Sequence, residues 1–217
     1  MLGKEVITEM EKFKKTSNEK ETRFLHLGSL EVRSLEGESE TQSKVVGGYV
    51  VKYNQNSEVM TDRWGDKFVE VIAENAFVKS LETKSQKALW NHNTDLVLGS
   101  VKSGTLTLFN DNIGLRCEIN LPDTQAGEDA YQSIKRGDVD GMSFGFRCTN
   151  NNWDIVVIND EEVYKRTILE ADLIEISPTT FAAYPDSEIN CRSLESFKSE
   201  KTSKERLKEQ IISRTYF

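Results

Sequence analysis

Histidine is nearly absent from this chain, which has only His26 and His92. Any reaction that needs an imidazole therefore has two candidates. Cysteine is scarce too, limited to Cys117, Cys148 and Cys191. Their number is odd and their spacing fits no zinc pattern, so free thiols in a reducing compartment are expected. Two distant histidines do not make a metal site unaided, and neither a metal nor a cofactor is expected. Long apolar runs are also missing. Nothing approaches the roughly 18 residues of a membrane span, and Met1 to Lys20 is charged throughout, which predicts neither a span nor a secretory signal. Positive charge is in deficit, with 28 Lys and Arg against 36 Asp and Glu, a net charge of −8. Nucleic-acid binding by phosphate neutralisation gains no support from that balance. Apolar residues, at 37% against 29% charged, are few for a compact domain, so part of the length is expected to be solvated extension.

The patterning divides the 217 residues into three parts. Residues 1–22 mix Lys and Glu around Val6, Ile7, Met10 and Phe13 and read as a weakly ordered leader. Residues 23–192 carry strand signals at Lys44–Tyr53, Leu96–Val101, Thr105–Phe109, Ile113–Leu121, Ile155–Ile158, Val163–Leu169 and Leu173–Ser177. A short helix is predicted over Ala73–Leu81 from Ala73, Phe77 and Leu81. A second follows Pro122-Asp123-Thr124, with Asp or Thr as N-cap, Ala126, Ala130, Tyr131 and Ile134 on one face, and Gly137 as C-terminal stop. A polar turn is predicted at Thr149–Asn152. Residues 193–217 form a charged tail, in which Leu207, Ile211 and Ile212 suit a short amphipathic helix. The whole reads as a mostly-β, α+β domain between two charged extensions.

The segment Gly141-Met142-Ser143-Phe144-Gly145-Phe146 concentrates the chemistry. As a strand it puts Met142, Phe144 and Phe146 on one face, with Ser143, Gly145 and Arg147 on the other. Ser143 then has open space beside it, and a hydroxyl nucleophile needs a base and a group to orient that base. His26, between Leu25 and Leu27, reads as ordinary strand alternation. His92, in a polar turn before a strand, is the better base. Asp140 is near in sequence, but three residues along a strand place it about 10 Å away on the other face. Glu175 lies in Asp172-Leu173-Ile174-Glu175-Ile176-Ser177, where Ile174 and Ile176 form an apolar face and Glu175 points away with Leu173 and Ser177. A single carboxylate in so apolar a strand is unusual and makes Glu175 the better candidate to orient a base, beside the plainer reading of an exposed strand position. Cys148 is a weaker nucleophile candidate, placed where the strand is expected to turn.

Several blocks in order resemble the prohead maturation protease family of tailed bacteriophages. They include Gly47-Gly48-Tyr49, Phe68-Val69-Glu70-Val71-Ile72 before Ala76-Phe77, Asn91-His92, Leu98-Gly99-Ser100, Leu121-Pro122-Asp123-Thr124, the Ser143 block, Leu173 to Pro178, and Ala183-Tyr184-Pro185-Asp186. The resemblance runs from about Lys44 to Arg192. It implies Ser143 as nucleophile, His92 as base and Glu175 as third member. It also implies a fold similar to the herpesvirus capsid-assembly protease, a small closed or partly closed β-barrel ringed by a few helices. Asn75, Asn93 and Ala182-Ala183 depart from the family's usual residues without removing a catalytic group.

The implied activity is serine endopeptidase cleavage of the scaffolding segment of the major capsid protein, and of the chain itself, inside the assembling prohead in the bacterial cytoplasm. The implied partners are that capsid protein and further copies of this chain, a homo-oligomer being left open, with no nucleic acid and no membrane. Self-cleavage is expected near Arg192, where composition shifts. Gly141 and Gly145 backbone amides, or Arg147 or Arg166, are candidate oxyanion donors or supports. Two rivals remain at this point. One is a non-catalytic scaffold or assembly chaperone for capsid protein. The other is an esterase-like hydrolase, since Gly141 and Gly145 flank Ser143 at nucleophile-elbow spacing; continuation of the strand past Phe144 argues against that elbow.

Overall fold

The computed structural model describes residues 20–25, 30–35, 43–62, 64–180, 194 and 197–206. His26, Cys191, Arg192 and its expected cleavage boundary, the Ala183-Tyr184 block and the Leu207–Ile212 segment lie outside them.

Two sheets enclose one core. The smaller has the order β2 (Glu31–Leu35), β3 (Ser43–Lys52), β9 (Gly114–Asn120), β8 (Leu106–Asn110), all antiparallel. The larger is built on a hairpin of two very long strands, β10 (Gly141–Ile158) and β11 (Glu161–Thr179). β1 (Glu21–Leu25) pairs with the free edge of β10. Along its other edge β11 takes two parallel partners in succession. These are β5 (Lys67–Ile72), extended by β4 (Met60–Thr61), and β6 (Lys87–Trp90), extended by β7 (Asn93–Ser100).

The expected barrel is not formed. Both sheets are open: the smaller ends at β2 and β8, and the larger has β1, β4 and β7 at its margins. Closure requires a continuous ladder of strands. Here β11 spends its second edge on two separate partners, and the halves meet through side chains. Met142, Phe144 and Phe146 of β10 enter a core with Val46, Val50, Leu115 and Ile119 of the smaller sheet. Phe77 packs edge-on to Phe144 and Phe146, with ring centroids 6.0 and 6.4 Å away. The α+β class stands, as two packed open sheets with helices.

Local chemistry explains where elements start and stop. α2 (Gln125–Arg136) is capped by Thr124, whose Oγ1 accepts from the Gly127 N–H, and stops at Gly137 with φ 81°. Ala130, Tyr131 and Ile134 are its buried face. α1 (Val78–Thr83) begins later than the spacing predicts, because residues 74–77 form a turn with Asn75 at φ 68°. Ala76 and Phe77 are nonetheless in the core.

The predicted turn at Thr149–Asn152 is absent. β10 continues through it with register shifts between Cys148 and Asn150 and between Asn150 and Asn151. The asparagines bend a strand rather than end it. The chain reverses instead at Asn159 and Asp160, with φ 51° and 63°, as a two-residue hairpin turn demands. A second hydrophobic cluster, Phe68, Trp153 and Leu194, sits under the far end of the hairpin, with Tyr164 and Phe197 against it. Residues 197–206 are helical.

Candidate active site

Ser143 and Glu175 come from neighbouring strands of one ladder. Ser143 faces Ser177, and Gly145 faces Glu175. Between Gly145 and Phe146 the register shifts, so that Ile174 is an extra residue on β11. The bulge breaks strict alternation: Leu173 and Ile176 both enter the core, and Glu175 and Ser177 turn to the Ser143 face. Ile174 therefore does not share a core face with Ile176, as plain alternation predicts.

His92 arrives on the β6–β7 hairpin. Asn91 and His92 form its two-residue turn, both left-handed, with φ 50° and 61°. Asn91 fixes the turn, its N–H donating to Pro178 O and its Oδ1 accepting from Thr180 N–H. The His92 N–H donates to Ser177 Oγ at 3.2 Å. The ring then spans the gap, with Nδ1 2.9 Å from Glu175 Oε1 and Nε2 2.7 Å from Ser143 Oγ. Ser177 Oγ donates to Glu175 Oε2 at 2.7 Å, so both carboxylate oxygens are engaged.

Burial pushes the Glu175 carboxyl up, but the hydrogen bonds from His92 and Ser177, with Lys20 adding to them, outweigh it and hold the group below the usual glutamate range. Glu175 is thus ionised at neutral pH and only accepts hydrogen bonds. That places the proton of the neutral imidazole on Nδ1 and leaves Nε2 free to accept. Gly145 makes room for this carboxylate: a Cβ there would lie 2.3 Å from Glu175 Oε1.

Ser143 is completely covered. The cover is β1, paired antiparallel to β10 with Phe24 opposite Ser143. Ser143 Oγ donates to the Arg23 carbonyl at 2.7 Å, and Lys20 Nζ reaches Glu175 Oε1 at 3.0 Å. The single hydroxyl proton therefore has two acceptors, Arg23 O and His92 Nε2.

Arg23 and Glu21 of β1 are held by a buried charge cluster. Arg23 Nε and Nη2 donate to the two oxygens of Glu70 at 2.6 and 2.9 Å, and its guanidinium lies 5.4 Å from the Phe146 ring centre. Arg166 Nη1 and Nη2 donate to Glu21 at 2.6 and 3.0 Å, and Nη1 also donates to Glu70 at 3.1 Å. Arg23 Nη2 closes the ring on Glu21 at 2.7 Å. Burial pushes Glu21 up, but Arg166 and Arg23 outweigh it and hold its carboxyl low.

Of the sequence candidates, Ser143, His92 and Glu175 come together, with Gly145 beside Glu175. Gly141 begins β10 opposite Thr179, and Arg147 lies four residues beyond Ser143 along the strand, opposite Asp172. Arg166 is carried to Glu21 and Glu70. Ser177, Lys20, Arg23 and Glu70 were not foreseen in these places. Only Ser177 had a local signal, its two-residue spacing from Glu175.

A hydroxyl, an imidazole and a buried carboxylate in one hydrogen-bonded line is the arrangement of serine peptidases, whatever frame carries it. The chain belongs to the caudovirus prohead serine protease family, which matches residues 28–201. The bacteriophage T4 capsid assembly protease is similar in structure, with a TM-score of 0.47 and 9% sequence identity, over 75% of this chain and 99% of that one. No curated protein matches the chain.

Proposed function

We propose that this serine protease of capsid maturation works through Ser143, His92 and Glu175. Ser143 Oγ attacks the scissile carbonyl while His92 Nε2 takes its proton, and the imidazolium is stabilised by Glu175. The same proton then passes to the leaving amine, and water repeats the cycle on the acyl-enzyme. The observation that carries this reading is the continuous line from Glu175 Oε1 through His92 to Ser143 Oγ. Backbone amides around Gly141 and Gly145, with Arg147, remain the proposed oxyanion donors.

The family acts on capsid and scaffolding proteins. For this chain the proposed substrates are the scaffolding segment of the major capsid protein and the chain itself, cleaved inside the prohead in the bacterial cytoplasm. The proposed layout keeps residues 1–22 as leader, 23–192 as catalytic domain and 193–217 as a removable tail. β1 must leave Ser143 before another peptide reaches it. Co-expression with the capsid protein of the same phage tests the assignment. Cleavage products are expected from the unaltered chain and none from Ser143→Ala; products that persist in the variant overturn the assignment.

A further inference from the structure

A strand in β10 has two hydrogen-bonding edges, and β11 occupies one of them throughout. A peptide that reaches Ser143 by adding to this sheet must therefore use the edge that β1 now holds. The contacts β1 makes are the contacts available to such a peptide. Two features separate the guest from its host. β1 ends at Leu25, before the residues matched by the family, whereas Glu70, Phe146 and Arg166 lie within them. The guest's backbone also meets the nucleophile, since the Arg23 carbonyl accepts from Ser143 Oγ. Arg23 thus stands as the residue just before a bond open to attack, and Glu21 stands two residues before that.

We infer that Glu70 and Arg166 are specificity determinants that select a peptide strand of the form Glu-x-Arg, cut after the arginine. This rests on the catalytic reading of Ser143. Glu70 is 4% exposed and takes the arginine side-on through both oxygens, while Phe146 supplies a ring face to the guanidinium. Arg166, 3% exposed, takes the glutamate through both terminal nitrogens and has an Nε without a partner among the described residues. Glu70 and Arg166 also touch each other, so the empty groove holds a paired charge rather than two isolated ones. An acidic residue at the arginine's place would face Glu70, and a neutral one would leave that buried carboxylate short of two hydrogen bonds. Either loss discriminates more strongly than a gain in contact area.

The full-length chain with Glu21→Ala and Arg23→Ala, which loosens β1 without touching the groove, provides the test. In a Ser143→Ala background, binding of fluorescein-labelled peptides containing Glu-Thr-Arg-Phe, Glu-Thr-Ala-Phe and Ala-Thr-Arg-Phe is followed by polarisation. The first is expected to bind about tenfold to a hundredfold more tightly than either of the others. With Ser143 intact, mass spectrometry is expected to find the cut after arginine. Glu70→Gln is expected to shrink the preference for arginine over alanine, by weakening the arginine peptide and relieving the penalty on the alanine one. Equal affinities for the three peptides, or binding of none of them, by a variant whose circular dichroism spectrum matches that of the unaltered chain overturn the inference. Preferential binding with a cut that survives Ser143→Ala would instead refute the catalytic reading and spare the groove.

Discussion

A methyl group on residue 145 would press within 2.3 Å of Glu175 Oε1, inside van der Waals contact. The carboxylate would have to retreat, and His92 would lose its orienting partner at Nδ1. Gly145→Ala is expected to lower kcat by about a hundredfold with an unchanged far-ultraviolet circular dichroism spectrum, because displacements near 1 Å in a catalytic array cost about that much. Glu175→Gln goes further. An amide in place of the carboxylate can present its N–H to Nδ1, favour the wrong tautomer and cut kcat by roughly 10⁴-fold, measured on a cleaved peptide. Cysteine gives a contrasting expectation. Burial pushes the Cys117 thiol up to about 12, and Cys148 is raised for the same reason. Peptide mapping after iodoacetamide treatment of the native protein should find both unmodified, and modification of either at the rate seen in denaturant would contradict their burial. At this scale the sequence was informative. Three catalytic candidates were legible from strand alternation, histidine scarcity and resemblance, whereas Glu70 and Arg166 carry no local mark that sets them apart from other strand charges.

Elements differed in how openly their sequences declared them. α2 was legible because its cap, apolar face and stop are all within a span of adjacent residues. Thr124→Ala should cost about 1 kcal/mol in a urea unfolding experiment by removing the acceptor for Gly127 N–H. Gly137→Ala should cost about 1–2 kcal/mol, since φ 81° is left-handed. In sequence β10 reads as strand, turn and strand, because Thr149-Asn150-Asn151-Asn152 has the composition of a turn. What overrides composition is the partner strand: β11 continues opposite, and the surplus residues become bulges. The Ile174 bulge misled in the same way. Parity along β11 put Leu173 with Glu175, and one extra residue moved it into the core.

The two-sheet arrangement was the least legible feature of the molecule. Whether a set of strands closes depends on which edges meet, and β5 and β6 both joining β11 in parallel is a choice made by long-range packing. The buried cluster of Glu21, Arg23, Glu70 and Arg166 is long-range in the same sense, tying β1 to β5 and β11. It also sets a pH dependence. Glu21 and Glu175 have carboxyls held below their ordinary value when folded. Their stabilisation is therefore present above about pH 4.3, the usual glutamate value, and is lost as pH falls through the depressed folded values. The thermal midpoint is expected to be flat from pH 7 to about pH 5 and to fall below about pH 4.3. In Glu21→Gln that acid-side fall should be shallower. A midpoint that rises on acidification would show that these carboxylates do not favour the folded state.

The parallel contact of β6 with β11 is short, just Glu175 opposite Lys87 and Ile176 opposite Ala88. It delivers a histidine made early to a carboxylate made 83 residues later. A ribosome adding roughly 5–20 residues per second needs several seconds to cover that interval, and the growing chain has no complete site until it is over. On the proposed assignment of His92 and Glu175, proteolytic capability is thus scheduled by translation itself: the nascent polypeptide stays inert toward its neighbours until both strands of that contact have been synthesised.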